Sequence, residues 1–225
     1  YQAGRRSGRP FSFEYRLTAR DGRIVWFRDS AVVLRDEDGN PTAIEGVMLD
    51  ITELRAAEEQ ATFLAYHDRV TGLPNRAMFE ELLDLAIARA RRHDLAVAVL
   101  LADIDDFKLV NDSLGHDRGD ELLRQLAVRL REATRETDII ARPGGDEFLV
   151  LIADIESGGR AQELGSLDGA VLIAEAVASR VQEALQAPFD IDGTEIYVQA
   201  SLGIALFPQH ATDPSGRRPQ ACSPP

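Results

Sequence analysis

The chain has 225 residues, 44% hydrophobic and 28% charged, which suits an ordinary soluble globular protein of one large domain, or of a medium one plus a fragment. Its net charge of -13 argues against a nucleic-acid polymer as partner, and its single cysteine, Cys222, argues against disulfide frameworks, Cys-rich zinc sites and a catalytic Cys–His pair. No apolar run approaches the ~18 residues needed to span a bilayer, so no membrane segment is evident in this fragment, and the single cysteine makes a reducing cytoplasm the expected location. The chain opens on Tyr1 rather than Met, as a piece cut from a longer protein would.

Residues 1–51 read as strands. Phe11, Phe13, Tyr15 and Leu17 alternate with Ser12, Glu14 and Arg16, the period of a half-buried strand. Asp21-Gly22 offers a hairpin turn, 23–34 is rich in β-formers, and Asp38-Gly39-Asn40-Pro41 turns the chain again ahead of 43–49. Three antiparallel strands are too little sheet to close a core alone. At Thr52, the expected N-cap, the rhythm becomes helical, with Leu54, Ala57, Ala61 and Leu64 forming a short stripe. A helix over 52–65 lays that stripe either on a neighbouring domain or against the same helix of a second subunit.

From residue 66 helices and strands alternate. Phe79, Leu82, Leu83, Ala86, Ile87 and Ala90 mark one helix face, and 95–102 is the continuous apolar run of a strand buried on both faces. Leu122, Leu123, Leu126, Ala127 and Leu130 mark a second helix; 139–141 and 148–152 flank a Gly-Gly turn as a hairpin. Leu172, Ile173, Ala176, Val177, Val181, Ala184 and Leu185 mark a third helix, and Ile196, Val198, Ala200, Leu202, Ile204 and Leu206 alternate as one final strand. The pattern predicts an α/β fold, a mixed sheet covered by helices. Residues 213–225 have no periodicity and are expected to be disordered.

Three clusters carry chemistry. At Asp103-Ile104-Asp105-Asp106-Phe107-Lys108 a buried strand ends in three acids, costly unless a cation meets them. Hard Mg²⁺ suits such oxygens; the plainer alternative is an exposed acidic loop capping the next helix. In the run NDSLGHDRGD over 111–120, Asn111 and Asp120 offer acceptors for the N1–H and N2–H donors of guanine, an arrangement adenine lacks. The alternative there is a polar connection between helices, with Asp120 near an N-terminus. His116 reads as structural. At Gly144-Gly145-Asp146-Glu147-Phe148 the glycines permit positive φ and close backbone approach, and the two acids bring a second carboxylate source opposite Asp103. Taken alone, an acidic hairpin tip is commonplace.

Taken together, DRVTGLPNR over 68–76, DIDDFK over 103–108, NDSLGHDRGD over 111–120, ARPGGDEF over 141–148 and the late strand ASLGIALFP over 200–208 resemble the GGDEF domain of diguanylate cyclases, which is similar to the palm of nucleotide cyclases and polymerases. The resemblance covers about 65 to 212. It implies that Asp103 and Asp146 bind Mg²⁺ or Mn²⁺ with help from the Ile104 carbonyl, and that Glu147 assists at the 3′-hydroxyl or a second metal. Asn111 and Asp120 would read guanine, with the Phe107 and Lys108 region against the phosphates. The implied reaction is attack of the 3′-hydroxyl of one GTP on the α-phosphorus of another, expelling pyrophosphate and leading to cyclic di-GMP. Each domain would hold one GTP, so a homodimer is required. Arg135 and Asp138 match the family's inhibitory product site, the alternative being a surface salt bridge.

Residues 9–51 resemble the second half of a PAS sensor domain, with DITE over 50–53 as its exit motif. The expected organisation is therefore a PAS part over 1–51, a linker helix over 52–65, a GGDEF domain over 66–212 and a tail over 213–225. Two features depart from the family. Pro143 stands where a strand residue is usual, and the family's C-terminal helix, with its Lys and Arg on the phosphates, is replaced by a stretch holding Arg217 and Arg218 between Pro214 and Pro219. The expectation is thus a C-terminally incomplete diguanylate cyclase domain, under PAS control and product inhibition, that turns over slowly as it stands. Its alternatives are a GTP- or cyclic di-GMP-binding regulatory GGDEF module of a composite GGDEF–EAL phosphodiesterase, or a product receptor built on Arg135 and Asp138.

Overall fold

The structure is a computed structural model and describes residues 10–156 and 166–208. Arg217, Arg218 and the expected tail over 213–225 lie outside the described residues. The chain divides between Phe63 and Leu64 into two units.

In the first unit β1 (Phe11–Thr18), β2 (Ile24–Arg35) and β3 (Pro41–Asp50) form one antiparallel sheet in that order. The register sets Phe11 opposite Ala31, Phe13 opposite Asp29 and Tyr15 opposite Phe27, so the alternating aromatics share a face. Phe13 and Tyr15 stack at 5.6 Å and Tyr15 meets Phe27 at 6.2 Å between ring centroids. The helix α1 (Thr52–Tyr66) follows, and none of its residues is buried, so the apolar stripe starting at Leu54 lies open. Thr52 does not cap it. The Asp50 carboxylate accepts the Thr52 N–H at 2.9 Å, while the Thr52 hydroxyl accepts the Trp26 N–H of β2 at 2.9 Å. The hydroxyl sits beside a sheet edge that offers a donor, and the acid two residues earlier takes over the helix start.

The second unit contains α2 (Arg76–His93), β4 (Leu95–Ile104), α3 (Phe107–Leu114), α4 (His116–Ala133), β5 (Ile139–Gly144), β6 (Glu147–Glu156), α5 (Ser166–Gln186), β7 (Phe189–Ile191), β8 (Thr194–Ile196) and β9 (Ala200–Phe207). Four strands make the central sheet in the order β5-β6-β4-β9, with antiparallel pairings. The central place of β4 explains its unbroken apolar run. Ala98, Leu100, Ala102 and Ile104 enter a core with Leu122, Leu126 and Leu130 of α4 and Ala174, Val177 and Val181 of α5. On the other face Val97 joins Phe79, Ile87 and Ala90 of α2. The α/β class is as expected, with helices on both faces of the sheet. Asn75 caps α2 by accepting the Met78 N–H at 3.1 Å, and Arg91, Arg92 and His93 place cations in its last turn, where the helix dipole favours them.

Two expected elements differ. The final strand is interrupted: Ile196 ends the small β7–β8 hairpin, and β9 begins only at Ala200. Alternation of side chains survives the break, so the sequence period ran on through it. In α5 the buried stripe is Ala170, Ala174, Val177, Val181 and Leu185, whereas Leu172 is 54% exposed and Ala176 is also exposed. Two small alanines set the phase of that face, and their weak apolarity hides them beside a leucine.

Candidate functional site

The site is assembled where β4 runs out. Asp103, its penultimate residue, pairs with Glu147 of β6 on one side and Ser201 of β9 on the other. Directly opposed residues point to the same face, so the Asp103 and Glu147 side chains emerge together. One residue on, the Ile104 N–H donates to the Asp146 carbonyl at 3.1 Å, which fixes the acidic turn against the end of β4. Gly144 pairs with Glu147, leaving Gly145-Asp146 as the loop, and φ values of 153° and 59° at Gly144 and Gly145 explain the two glycines. The register shifts between Ala141 and Gly144, so the missing N–H of Pro143 falls in an irregular stretch of β5 that tolerates it.

Electrostatics mark the same corner. Burial pushes the Asp103 carboxyl above its ordinary pKa, and the neighbouring charges of Asp146, Glu147 and Asp105 push it further. Like charges so close favour a cation among them. Among the described residues no group of three or more His, Cys, Asp or Glu side chains stands as a ready metal cage. What the corner offers is two half-buried carboxylates, Asp103 and Asp146, with backbone carbonyls nearby. This hard-oxygen set fits Mg²⁺, which keeps waters and substrate phosphates in its own shell. The third acid of the strand end is turned aside: Asp105 lies 2.8 Å from the Ser201 hydroxyl through its carboxylate and donates its N–H to the Gln199 carbonyl at 2.9 Å.

A buried arginine holds this turn. Arg142 is 7% exposed; its Nε and Nη2 donate to the Gly145 carbonyl at 3.0 and 2.5 Å, and its Nη1 donates to Asp68 at 2.9 Å. The Arg142 N–H donates to the Pro74 carbonyl at 2.9 Å. Asp68 also accepts the Thr71 N–H at 2.9 Å and the Thr71 hydroxyl at 2.6 Å. Burial raises the Asp68 carboxyl, but the hydrogen bonds from Thr71 and Arg142 outweigh it and leave its pKa below the usual range. Asp68 and Arg142 had no role in the sequence reading, although each stands inside a stretch that carried the resemblance. Arg76, the first residue of α2, also enters: it pairs with Glu80 at 2.9 Å, and after that pair Glu147 also raises its pKa.

Past the end of β4 the chain enters α3 and α4. Gly115, with φ of 89°, separates them and donates its N–H to the Asn111 carbonyl at 2.9 Å. Asn111 and Asp120 are both half-buried, and among the described residues neither side chain has a hydrogen-bond or ion-pair partner. Two polar side chains left in this way suit a ligand that brings its own donors. The Phe107 ring is buried in the core with Leu122 and Leu126. Near it is the start of α3, where Asp106 makes no side-chain cap and Lys108 is exposed.

Arg135 and Asp138 face each other through the backbone. The Asp138 carboxylate accepts the Arg135 N–H at 2.9 Å, and the Asp138 N–H donates to the Arg135 carbonyl at 3.0 Å. The Arg135 side chain is exposed, and among the described residues the expected alternative, a salt bridge between the pair, is not formed.

A sequence model of the family described as diguanylate cyclase, GGDEF domain, matches residues 65–218. The chain belongs to the GGDEF diguanylate cyclase family. A PAS fold model matches residues 2–48 ahead of the GGDEF domain. The diguanylate cyclase TpbB of Pseudomonas aeruginosa is 39% identical over 170 residues, covering 74% of this chain and 36% of TpbB. The cyclic di-GMP phosphodiesterase PdeR of Escherichia coli is 37% identical over 209 residues, covering 92% of this chain and 29% of PdeR. The chain therefore spans well under half the length of these curated relatives. Among solved GGDEF structures, the GGDEF domain of TpbB is 41% identical with a TM-score of 0.56, covering 66% of this chain and 79% of that one. The coiled coil and GGDEF domain of DgcB from Caulobacter crescentus, solved with c-di-GMP, is 25% identical with a TM-score of 0.55, covering 69% of this chain and 76% of that one. No helix among the described residues of this GGDEF protein is long and apolar enough to cross a membrane.

Proposed function

We propose that residues 66–212 are a diguanylate cyclase domain that condenses two GTP into cyclic di-GMP and pyrophosphate. In this reading residues 1–51 are the C-terminal part of a PAS sensor, 52–65 is a linker helix, and the domain works in the cytoplasm as a homodimer. The observation that carries the reading is the convergence at one end of β4: Asp103, Asp146 and Glu147 gather there, while Asn111 and Asp120 wait without partners among the described residues.

Each group then has a task. Asp103 and Asp146, with the Ile104 carbonyl, would hold Mg²⁺ or Mn²⁺. The bound ion would lower the pKa of the attacking hydroxyl and neutralise charge developing on the phosphates. Asn111 and Asp120 read guanine and fix the base, so that the triphosphate falls at the start of α3. There the uncapped N–H groups and exposed Lys108 offer donors and charge to an anion. Glu147, exposed and paired across the strands with Asp103, would assist at the 3′-hydroxyl or at a second metal. Catalysis is then mostly positioning, since phosphoryl transfer asks little covalent chemistry of the protein. Because each domain holds one GTP, two must face each other to close the ring.

Incubating the protein with Mg²⁺ and either GTP or ATP tests this directly. Cyclic di-GMP should form from GTP, with no cyclic dinucleotide from ATP. A folded, dimeric protein that releases no cyclic di-GMP would contradict it and favour the second reading, a regulatory GGDEF module of a composite phosphodiesterase. The naming of PdeR as a phosphodiesterase supports that alternative.

Product inhibition belongs to the proposal through Arg135 and Asp138. With the carboxylate committed to the turn, the exposed guanidinium is left to meet a phosphate or a guanine edge with paired hydrogen bonds. Arg135→Ala should weaken cyclic di-GMP binding by at least ~10-fold, about 1.4 kcal/mol, while leaving GTP affinity unchanged. Calorimetric titration decides it, and equal product affinities for the two proteins would remove the site.

A further inference from the structure

We infer that Gly119 is a specificity-determining position, because its lack of a side chain is what leaves room for the Asn111 amide against the first turns of α4, one residue before Asp120. The inference rests on the guanine-reading role proposed for Asn111 and Asp120. Gly119 is buried in the first turns of α4, and its N–H donates to the Gly115 carbonyl at 3.2 Å. Its backbone is not in the positive-φ region, unlike that of Gly115, Gly144 and Gly145. Any residue would suit that conformation, and alanine would suit the helix better, since glycine weakens a helix interior. The reason for glycine here is space.

A Cβ built on Gly119 would lie 1.9 Å from Asn111 Oδ1, 3.0 Å from Asn111 Cγ and 3.4 Å from Phe107 Cζ. By contrast, Gly115, Gly144 and Gly145 have nothing within 4 Å of the same atom. Of the two neighbours at Gly119, the Phe107 ring is packed in the core and at 3.4 Å sits at ordinary contact distance, whereas the Asn111 amide overlaps the added atom. Asn111 is half-buried and sits on the short helix α3, so its amide is the group that must swing away. Swung out, it leaves the edge of the base site it shares with Asp120. The next residue, Asp120, keeps its place, and the acids of the β5–β6 turn lie on other elements and are untouched. A single methyl group would therefore remove base reading and spare the phosphate end of the site.

Titration calorimetry with Mg²⁺, using GTP and ATP on this chain, tests the inference in four proteins: the parent sequence, Gly119→Ala, Asn111→Ala and the double variant. Gly119→Ala should lose at least ~10-fold in GTP affinity, a change of 1.4 kcal/mol, and lose the preference for GTP over ATP by the same factor. Its ATP affinity and melting temperature should not fall. The double variant should bind GTP no worse than Asn111→Ala alone, because the shortened side chain no longer meets the methyl. Retention of the parent's GTP preference in Gly119→Ala, with loss in Asn111→Ala, would overturn the inference and leave the base reading standing. If neither single variant loses the preference, the base reading fails and takes the inference with it. Additive losses in the double variant, or a Gly119→Ala protein whose unfolding is not rescued by Asn111→Ala, would show that the glycine acts apart from Asn111 and overturn the inference as well.

Discussion

Asp146→Ala should reduce cyclic di-GMP synthesis by ~10³-fold or more, a loss on the order of 4 kcal/mol of transition-state stabilisation. The carboxylate of Asp146 is half-buried and adds its charge to the burial that raises the Asp103 pKa, so it lies in the same field that a divalent cation would neutralise. Its removal takes away one of only two carboxylates assigned to the ion, and the pKa of the attacking hydroxyl then stays high. The fold should be unaffected. What ties the turn to β4 is the Asp146 carbonyl accepting the Ile104 N–H, a bond that alanine keeps. Circular dichroism and thermal melting should match the parent while turnover disappears. Near-parental turnover from a well-folded Asp146→Ala protein would mean that the roles at this corner are wrongly assigned.

Arg142→Ala should act on stability first, costing about 3–5 kcal/mol in denaturant unfolding, the range for breaking a buried pair by removing one partner. The substitution strands the Asp68 carboxylate, whose side chain is 16% exposed, and takes two donors from the Gly145 carbonyl. It also frees the Gly-Gly turn that presents Asp146 and Glu147, so activity should fall even where the protein is still folded. The sign of the pH dependence follows from Asp68. Its folded pKa lies below the ordinary carboxylate range, so its bonds to Thr71 and Arg142 contribute stability that is full above that range and lost as pH falls through the folded value. The stability gap between the parent and Arg142→Ala should therefore be widest near neutral pH and shrink in acid. A gap that is constant, or that widens on acidification, would assign the cost to packing.

How much of this was legible from sequence depends on how local the determining interaction is. The core face of α4 could be read because Leu122, Leu126 and Leu130 repeat with the helix period, and β4 because a central strand buries both faces. The Gly-Gly hairpin could be read because two positive-φ residues in succession leave little choice. The break between β8 and β9 could not, because Ile196 and Ala200 keep the same alternation across it. Nor could the fate of Phe107, whose ring turns into a core built mainly by residues far along the chain. The Asp68–Arg142 pair spans 74 residues, and no periodicity reports a contact at that distance. Gly119 is harder still: a missing side chain has no pattern of its own until the neighbour filling its space is seen. The candidate site was found through short runs of acids and glycines, whereas what holds those runs in place came only from the structure.

The central claim is that the half-buried pair Asn111 and Asp120 selects guanine beside a cation-binding corner. Calorimetric titration of this chain with GTP and ATP, each with Mg²⁺ and again with the ion chelated, tests it most directly. The account predicts GTP binding at least ~10-fold tighter than ATP, about 1.4 kcal/mol, with affinity for both falling when Mg²⁺ is removed. Equal affinities for GTP and ATP, or binding indifferent to the metal, would contradict it.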